Sequence, residues 1–131
     1  MLRNIRSKYI GSDIFVTSSR YEAFGLATAE AMSYKLPCIG FSDCTGINEL
    51  IKNEKTGLLI HGLEDRALSL SIGISRLCSN VKLRKSLGNQ GHSFIISNYS
   101  EKKIIEFWEK LLYDIVNWNG DYILKTFYVW N

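Results

Sequence analysis

Proline and cysteine are scarce in this chain. One proline, Pro37, occurs in 131 residues, so no proline-rich linker divides it, and no internal repeat or low-complexity run is present. The three cysteines, Cys38, Cys44 and Cys78, are odd in number and never spaced Cys-x-x-Cys. That argues against a disulfide framework or a structural zinc site, and reduced thiols are expected, Cys38 and Cys44 packing as small apolar side chains. Two histidines, His61 and His92, lie far apart without neighbouring ligands, so both are expected at the surface and no metal site is expected. No segment reaches the ~18 apolar residues of a membrane span, and the opening MLRNIRSKYI has no apolar core of a signal peptide. Membrane insertion and export are therefore unsupported, and a cytoplasmic location is expected. Charge of neither sign dominates: 16 Lys+Arg against 13 Asp+Glu gives +3. Such a balance is too weak for nucleic acid and leaves room for an anionic ligand or a peripheral contact with the inner face of an anionic membrane.

What the chain does have is the composition of a globular domain, 46% hydrophobic and 22% charged, long enough to bury one core. Residues 2–10 place Leu2, Ile5 and Tyr9 or Ile10 at helical spacing, stopped by Gly11, and DIFVT at 13–17 reads as a strand. FGLATAEAMSYK then reads as a helix that ends before Pro37, where the strand PCIGF at 37–41 begins. TGINELIKN predicts a short helix capped by Thr45 or Gly46, a turn follows at Lys55, Thr56 and Gly57, and GLLI at 57–60 is a third strand. Apolar strands alternating with helices predict an α/β fold with a Rossmann-like parallel sheet covered by helices. Beyond Gly62 only helices are predicted, over 64–78, 81–97 and 100–117, the last opened by a Ser100 cap beside Glu101, and all three are expected around the sheet edge. Residues 1–118 are thus expected to form the domain, with 119–131 an aromatic tail of no assigned structure.

The stretch RYEAFGLATAE, Arg20 to Glu30, carries the chemistry. A helix starting near Gly25 exposes orphan N–H donors and about half a positive charge, which attract an anion such as phosphate. Glu22 and Glu30 flank that start, and ionised carboxylates only accept hydrogen bonds, so they call for hydroxyl donors on both sides of an anionic middle. A sugar nucleotide has that pattern. Glu30 lies about 7 Å along the axis from Gly25 at ~1.5 Å per residue, roughly the step from a phosphate to its ribose, and Gly25 lets phosphate approach the backbone. The plain alternatives are that Glu22 only favours the helix dipole, worth about 0.3–1 kcal/mol, and that Glu30 is an exposed helix residue. Arg20 reads as a surface or stacking residue before a phosphate ligand. Lys82, Arg84 and Lys85, at the start of their helix, read as a solvated face in preference to a site for acidic lipid. Trp108 is expected in a core, while Trp118, Tyr122, Phe127, Tyr128 and Trp130 are left open as an interface edge.

The run SDIFVTSSRYEAFGLATAEAMSYKLPCIGFSDCTGINELIKNEKTGLLI resembles the donor-binding half of the retaining GT-B glycosyltransferases of family four, also called glycosyl transferases group 1. The resemblance rests on the Ser-Arg-Tyr-Glu-x-Phe-Gly approach, two glutamates with seven residues between them, the helix-to-strand junction at Pro37, the Gly46 to Glu49 segment and the Thr56-Gly57-Leu58-Leu59 turn. It extends over about residues 1–112. It implies a partial GT-B C-terminal domain, metal-independent transfer from a UDP- or GDP-sugar to an acceptor hydroxyl with retention, no cofactor, and a role in cell-surface polysaccharide or lipopolysaccharide synthesis. Carried over, Glu22 would act at the donor sugar and serve as the catalytic-side carboxylate. Ala23, Phe24, Gly25, Leu26 and Ala27 would face sugar and diphosphate, and Glu30 would hold the ribose. No D-x-D motif is present, and nothing here matches the family's upstream strands, its Lys/Arg pair for the diphosphate or its acceptor-binding half. A truncated, excised or split enzyme completed by a partner N-terminal half is therefore expected, or else an inactive nucleotide-sugar-binding module.

Overall fold

A computed structural model describes residues 5–62 and 65–117. The aromatic tail and Leu2 lie outside the described residues. Two compact units divide the chain between Asn98 and Tyr99.

In the first unit, α1 (Ile5–Ile10) feeds β1 (Phe15–Val16), α2 (Leu26–Ser33) leads to β2 (Cys38–Phe41), and α3 (Thr45–Leu50) to β3 (Leu58–Ile60). α4 (Arg66–Ser79) and α5 (Val81–Tyr99) follow. The three strands form a parallel sheet in the order β1-β2-β3, with Phe15 opposite Cys38 and Ile39 opposite Leu58. The predicted α/β sheet and its element order are present. β1 is shorter than the expected strand at 13–17, although Thr17 N–H still donates to the Ile39 carbonyl at 3.0 Å.

Alternation along β2 assigns the two faces. Gly40 turns toward α3, where an added Cβ would meet Ile47 Cγ2 and Thr17 Cγ2 at 2.8 Å, and Cys38 Sγ lies near the Thr28 carbonyl of α2. Ile39 turns the other way, toward Gly73 of α4, and joins Leu58, Leu77 and Leu87 in a buried cluster. α4 therefore covers a face of the sheet, not its edge as expected, while α5 adds Leu87 to the cluster and rests through Gly88 and Gly91 on the Lys35 and Thr56 carbonyls ahead of β2 and β3. Gly73 decides this, because its missing side chain lets α4 settle onto Ile39 and Ile60. Such a cluster, at roughly 1.5–3 kcal/mol per fully buried aliphatic side chain, is the main term favouring this packing.

Other expectations are corrected by long-range contacts. Arg84 is not merely solvated: Nη1 donates to the carbonyls of Leu77 and Cys78 at 2.7 and 2.8 Å, satisfying the end of α4. His92 is half-buried, with Nδ1 2.9 Å from the Ser33 carbonyl, so it ties α5 to the end of α2. α3 is preceded by Cys44 at the cap position, not by Thr45 or Gly46. Cys38 and Cys44 are buried free thiols, and burial pushes the Cys38 thiol pKa up.

The second unit contributes α6 (Glu101–Val116) to the described residues. Ser100 stands at its cap position without a side-chain cap bond. Ile104, Phe107, Trp108, Leu112 and Ile115 share helical spacing and are all exposed, Trp108 at 54%. Trp108 is thus not a core residue. Among the described residues its ring meets Phe107 edge-on, centroids 6.3 Å apart. Among the described residues, no helix is long and apolar enough to cross a membrane.

Candidate functional site

Ligands of open α/β sheets bind beyond the carboxyl ends of the strands. Here that end is built from the loop 17–25 after β1, the residues 42–44 after β2 and His61 after β3.

The loop after β1 is fixed from α3. Gly46 N–H donates to the Glu22 carbonyl at 3.1 Å, and the chain at 22–24 rests directly on Gly46. A Cβ there would lie 2.8 Å from Phe24 N and 2.9 Å from Ala23 C, and closer still to the Glu22 carbonyl oxygen. Only glycine permits this approach.

Gly25 then turns the chain into α2. Its φ of 83° is left-handed, and its carbonyl accepts from Thr28 N and Ala29 N at 2.9 and 3.0 Å. No side chain caps α2, and Leu26 and Ala27 N–H have no acceptor among the described residues. Two donors at the positive end of a helix are therefore available to an anion. Gly25 is buried while Leu26 and Ala27 are exposed, so the approach to those N–H groups is made by small or outward-turned side chains. Thr28, Ala31 and Met32 point inward and seat the helix.

Each flanking carboxylate is held by a hydroxyl. Ser19 Oγ donates to Glu22 Oε1 at 2.8 Å and is itself approached by Thr17 Oγ1 at 3.3 Å. Tyr9 Oη donates to Glu30 Oε2 at 2.9 Å. Glu22 is half-buried and Glu30 exposed; Ala23 is exposed and Phe24 half-buried. Sequence reasoning missed Ser19, Thr17, Tyr9 and Gly46 as supports. Ser19 stands three residues from Glu22, a spacing that suits a loop bond, whereas Tyr9 gave no local signal.

At the neighbouring strand ends, Ser42 Oγ and His61 Nδ1 are 3.0 Å apart. Arg66 pairs with Asp43 and lies over the Phe41 ring, 3.7 Å from its centroid. The Arg66 guanidinium holds the Asp43 carboxyl below its usual range. Among the described residues no group of three His, Cys, Asp or Glu side chains gathers as a metal site. A cavity of about 400 Å³ lined by Tyr9, Tyr34, Pro37 and Val81 lies under the amino ends of β1 and β2, and neither Glu22 nor Glu30 lines it. The start of α2 and Glu22 are therefore at the opposite end of the sheet from the cavity, whereas Glu30, further along α2, is joined to the cavity lining through Tyr9.

A parallel sheet with an uncapped helix start and a braced Glu22 at its carboxyl end, and a braced Glu30 about one turn further along α2, defines a Rossmann-like domain suited to an anionic ligand rich in hydroxyls. The family profile of glycosyl transferases group 1 matches residues 2–94, and the chain belongs to that family. It is 34% identical over 100 residues to the poly(ribitol-phosphate) alpha-N-acetylglucosaminyltransferase of Staphylococcus aureus, covering 75% of this chain and 20% of that protein. Over 118 residues it is 28% identical to the N-acetyl-alpha-D-glucosaminyl L-malate synthase of Bacillus anthracis, covering 86% of this chain and 29% of that one. A solved structure of S. aureus TarM, in complex with fondaparinux, alpha-GlcNAc-glycerol and UDP, superposes with a TM-score of 0.72 at 29% identity, covering 81% of this chain and 21% of TarM. The chain thus spans between 20% and 29% of the length of these curated relatives.

Proposed function

We propose that this chain is the donor-binding part of a retaining glycosyltransferase that takes a sugar from a nucleoside diphosphate sugar to an acceptor hydroxyl in cell-surface glycan synthesis. The observation that carries the reading is the pair of acceptor-less N–H groups of Leu26 and Ala27, flanked by the braced carboxylates of Glu22 and Glu30. Family membership supports it, and so does the UDP in the TarM complex, which makes uridine the base to test first. The N-acetylglucosaminyl names of both curated relatives make UDP-GlcNAc the first donor to try.

In this reading the diphosphate lies on the start of α2. Preorganised N–H groups stabilise charge as it develops on a leaving diphosphate, because they need not reorient. Glu22 orients the donor sugar and favours positive character at the anomeric carbon. Glu30 accepts from the ribose diol. The acceptor-side groups belong to an N-terminal half, on a longer chain or on a partner. Coverage of 20–29% of the relatives favours a second reading, in which this chain alone binds donor and turns nothing over.

Calorimetric titration with UDP, GDP and UDP-GlcNAc tests the first reading. Charge-assisted hydrogen bonds contribute roughly 1.5–3 kcal/mol, so Glu30→Ala is expected to weaken UDP and UDP-GlcNAc by about 10- to 100-fold. Glu22→Ala is expected to weaken UDP-GlcNAc while leaving UDP unchanged. Affinity for UDP that survives Glu30→Ala would sink the assignment. Release of sugar from UDP-GlcNAc by the chain with acceptor, measured beside the titrations, separates the two readings.

A further inference from the structure

We propose that Tyr9 is a positioning residue for nucleotide binding: its hydroxyl holds one oxygen of Glu30 so that the other is presented to the ribose diol. The inference rests on the Glu30 assignment above and adds a residue from a different helix, which lies outside the Arg20 to Glu30 motif.

The geometry is specific. Tyr9 sits near the end of α1, 8% exposed, with its ring stacked on Tyr34 at 5.4 Å and tilted against Phe15 at 6.3 Å. From that fixed ring the hydroxyl reaches α2, donating to Glu30 Oε2 at 2.9 Å with the Ala27 carbonyl at 3.5 Å. Glu30 is otherwise an exposed side chain. An exposed glutamate samples several rotamers, and ordering it costs free energy that a ligand must supply. Anchoring to a packed ring removes that freedom before the nucleotide arrives. Oε1 has no protein donor among the described residues, and a carboxylate with one oxygen engaged still accepts from both hydroxyls of a diol.

The competing explanation is that the hydroxyl only fastens α1 to α2. Binding of UDP and of 2′,3′-dideoxy-UDP to the full chain distinguishes the two, because only UDP offers the diol. The ratio of the two affinities is measured in the native chain, in Tyr9→Phe, in Glu30→Gln and in the double variant. Tyr9→Phe keeps the ring packing and is expected to lower the ratio by about three- to tenfold through loss of preorganisation, leaving the dideoxy affinity unchanged. In the Glu30→Gln background the same change should have no further effect on the ratio. An unchanged ratio in Tyr9→Phe, with the native chain still preferring UDP, overturns the positioning role and leaves the donor site standing. A native chain that binds both nucleotides alike overturns the Glu30 assignment and this inference with it. Hydrogen exchange on the unsubstituted chain needs no variant: UDP, and not the dideoxy nucleotide, should slow exchange in α1. Equal protection by both nucleotides would also overturn the proposal.

Discussion

Gly46→Ala sets two effects against each other, and the structure decides between them. Alanine is the better helix former, by about 0.8–1.0 kcal/mol over glycine, so α3 considered alone should gain stability. The new Cβ, however, would stand 2.8 Å from Phe24 N and 2.9 Å from Ala23 C, both backbone atoms that cannot swing aside as a side-chain tip would. Overpacking of this kind costs about 1–3 kcal/mol. The hydrogen bond from Gly46 N–H to the Glu22 carbonyl, 3.1 Å long, is lost or stretched as the loop lifts, at a further ~0.5–1.5 kcal/mol. The net expectation is a loss of about 0.5–3.5 kcal/mol. Because the moving segment carries Glu22 and the approach to Gly25, sugar recognition should suffer more than folding. Misplacing Glu22 forfeits charge-assisted hydrogen bonds worth roughly 1.5–3 kcal/mol, so affinity for UDP-GlcNAc should fall about tenfold or more beyond any fall for UDP. Urea unfolding and calorimetry on the same preparation read the two effects. A variant as stable as the native chain, with unchanged preference for the sugar nucleotide, would show that the loop is not seated on α3.

Three further outcomes are expected. Lys35 occupies the left-handed region at φ 62° just after α2, so Lys35→Gly should raise stability by up to about 1 kcal/mol in urea unfolding. Leu77→Ala empties a fully buried position in the cluster with Ile39, Leu58 and Leu87, and a loss of about 2–5 kcal/mol is expected in the same assay. Burial, and then the bond to Glu30, push the Tyr9 phenol from 10.0 up to about 12. A folded pKa above the unfolded one gives stability that is present below about pH 10 and lost as pH rises through about 12. Urea midpoints at pH 9 and pH 11.5 should therefore drop in the native chain, and drop less in Tyr9→Phe.

Local signals carried most of the fold. Gly11, Gly25, Pro37 and the Lys55 to Gly57 turn bound α1, α2, β2 and β3 within a few residues, because each acts on its own backbone through φ or a missing donor. The same locality made Glu22, Glu30 and the glycine between them legible as one motif. What the sequence did not disclose depends on contacts far along the chain. Tyr9 and Glu30 are 21 residues apart, and Ser33 and His92 are 59 apart. Arg84 looked misplaced at a helix start because its partners are carbonyls of the preceding helix. Trp108 has the spacing of a core residue, yet spacing records only that a face is apolar, not that something covers it.

The composition of α2 follows from having to serve two sides at once. Its inner face, Thr28, Ala31 and Met32, is fully enclosed, and Cys38 Sγ lies 3.4 Å from the Leu36 carbonyl just beyond its end. Its amino end must stay open, and there Gly25 and Ala27 are small enough not to cover the Leu26 and Ala27 N–H groups. A helix of eight residues with so little side chain cannot brace long glutamates itself. The bracing comes from outside instead: α3 fixes the Glu22 backbone through Gly46, Ser19 holds the Glu22 carboxylate, and α1 holds Glu30 through Tyr9. Binding on α2 should therefore respond to substitutions in α1 and α3 that never touch a ligand, and Tyr9→Phe and Gly46→Ala should add independently because they act on different carboxylates through different helices.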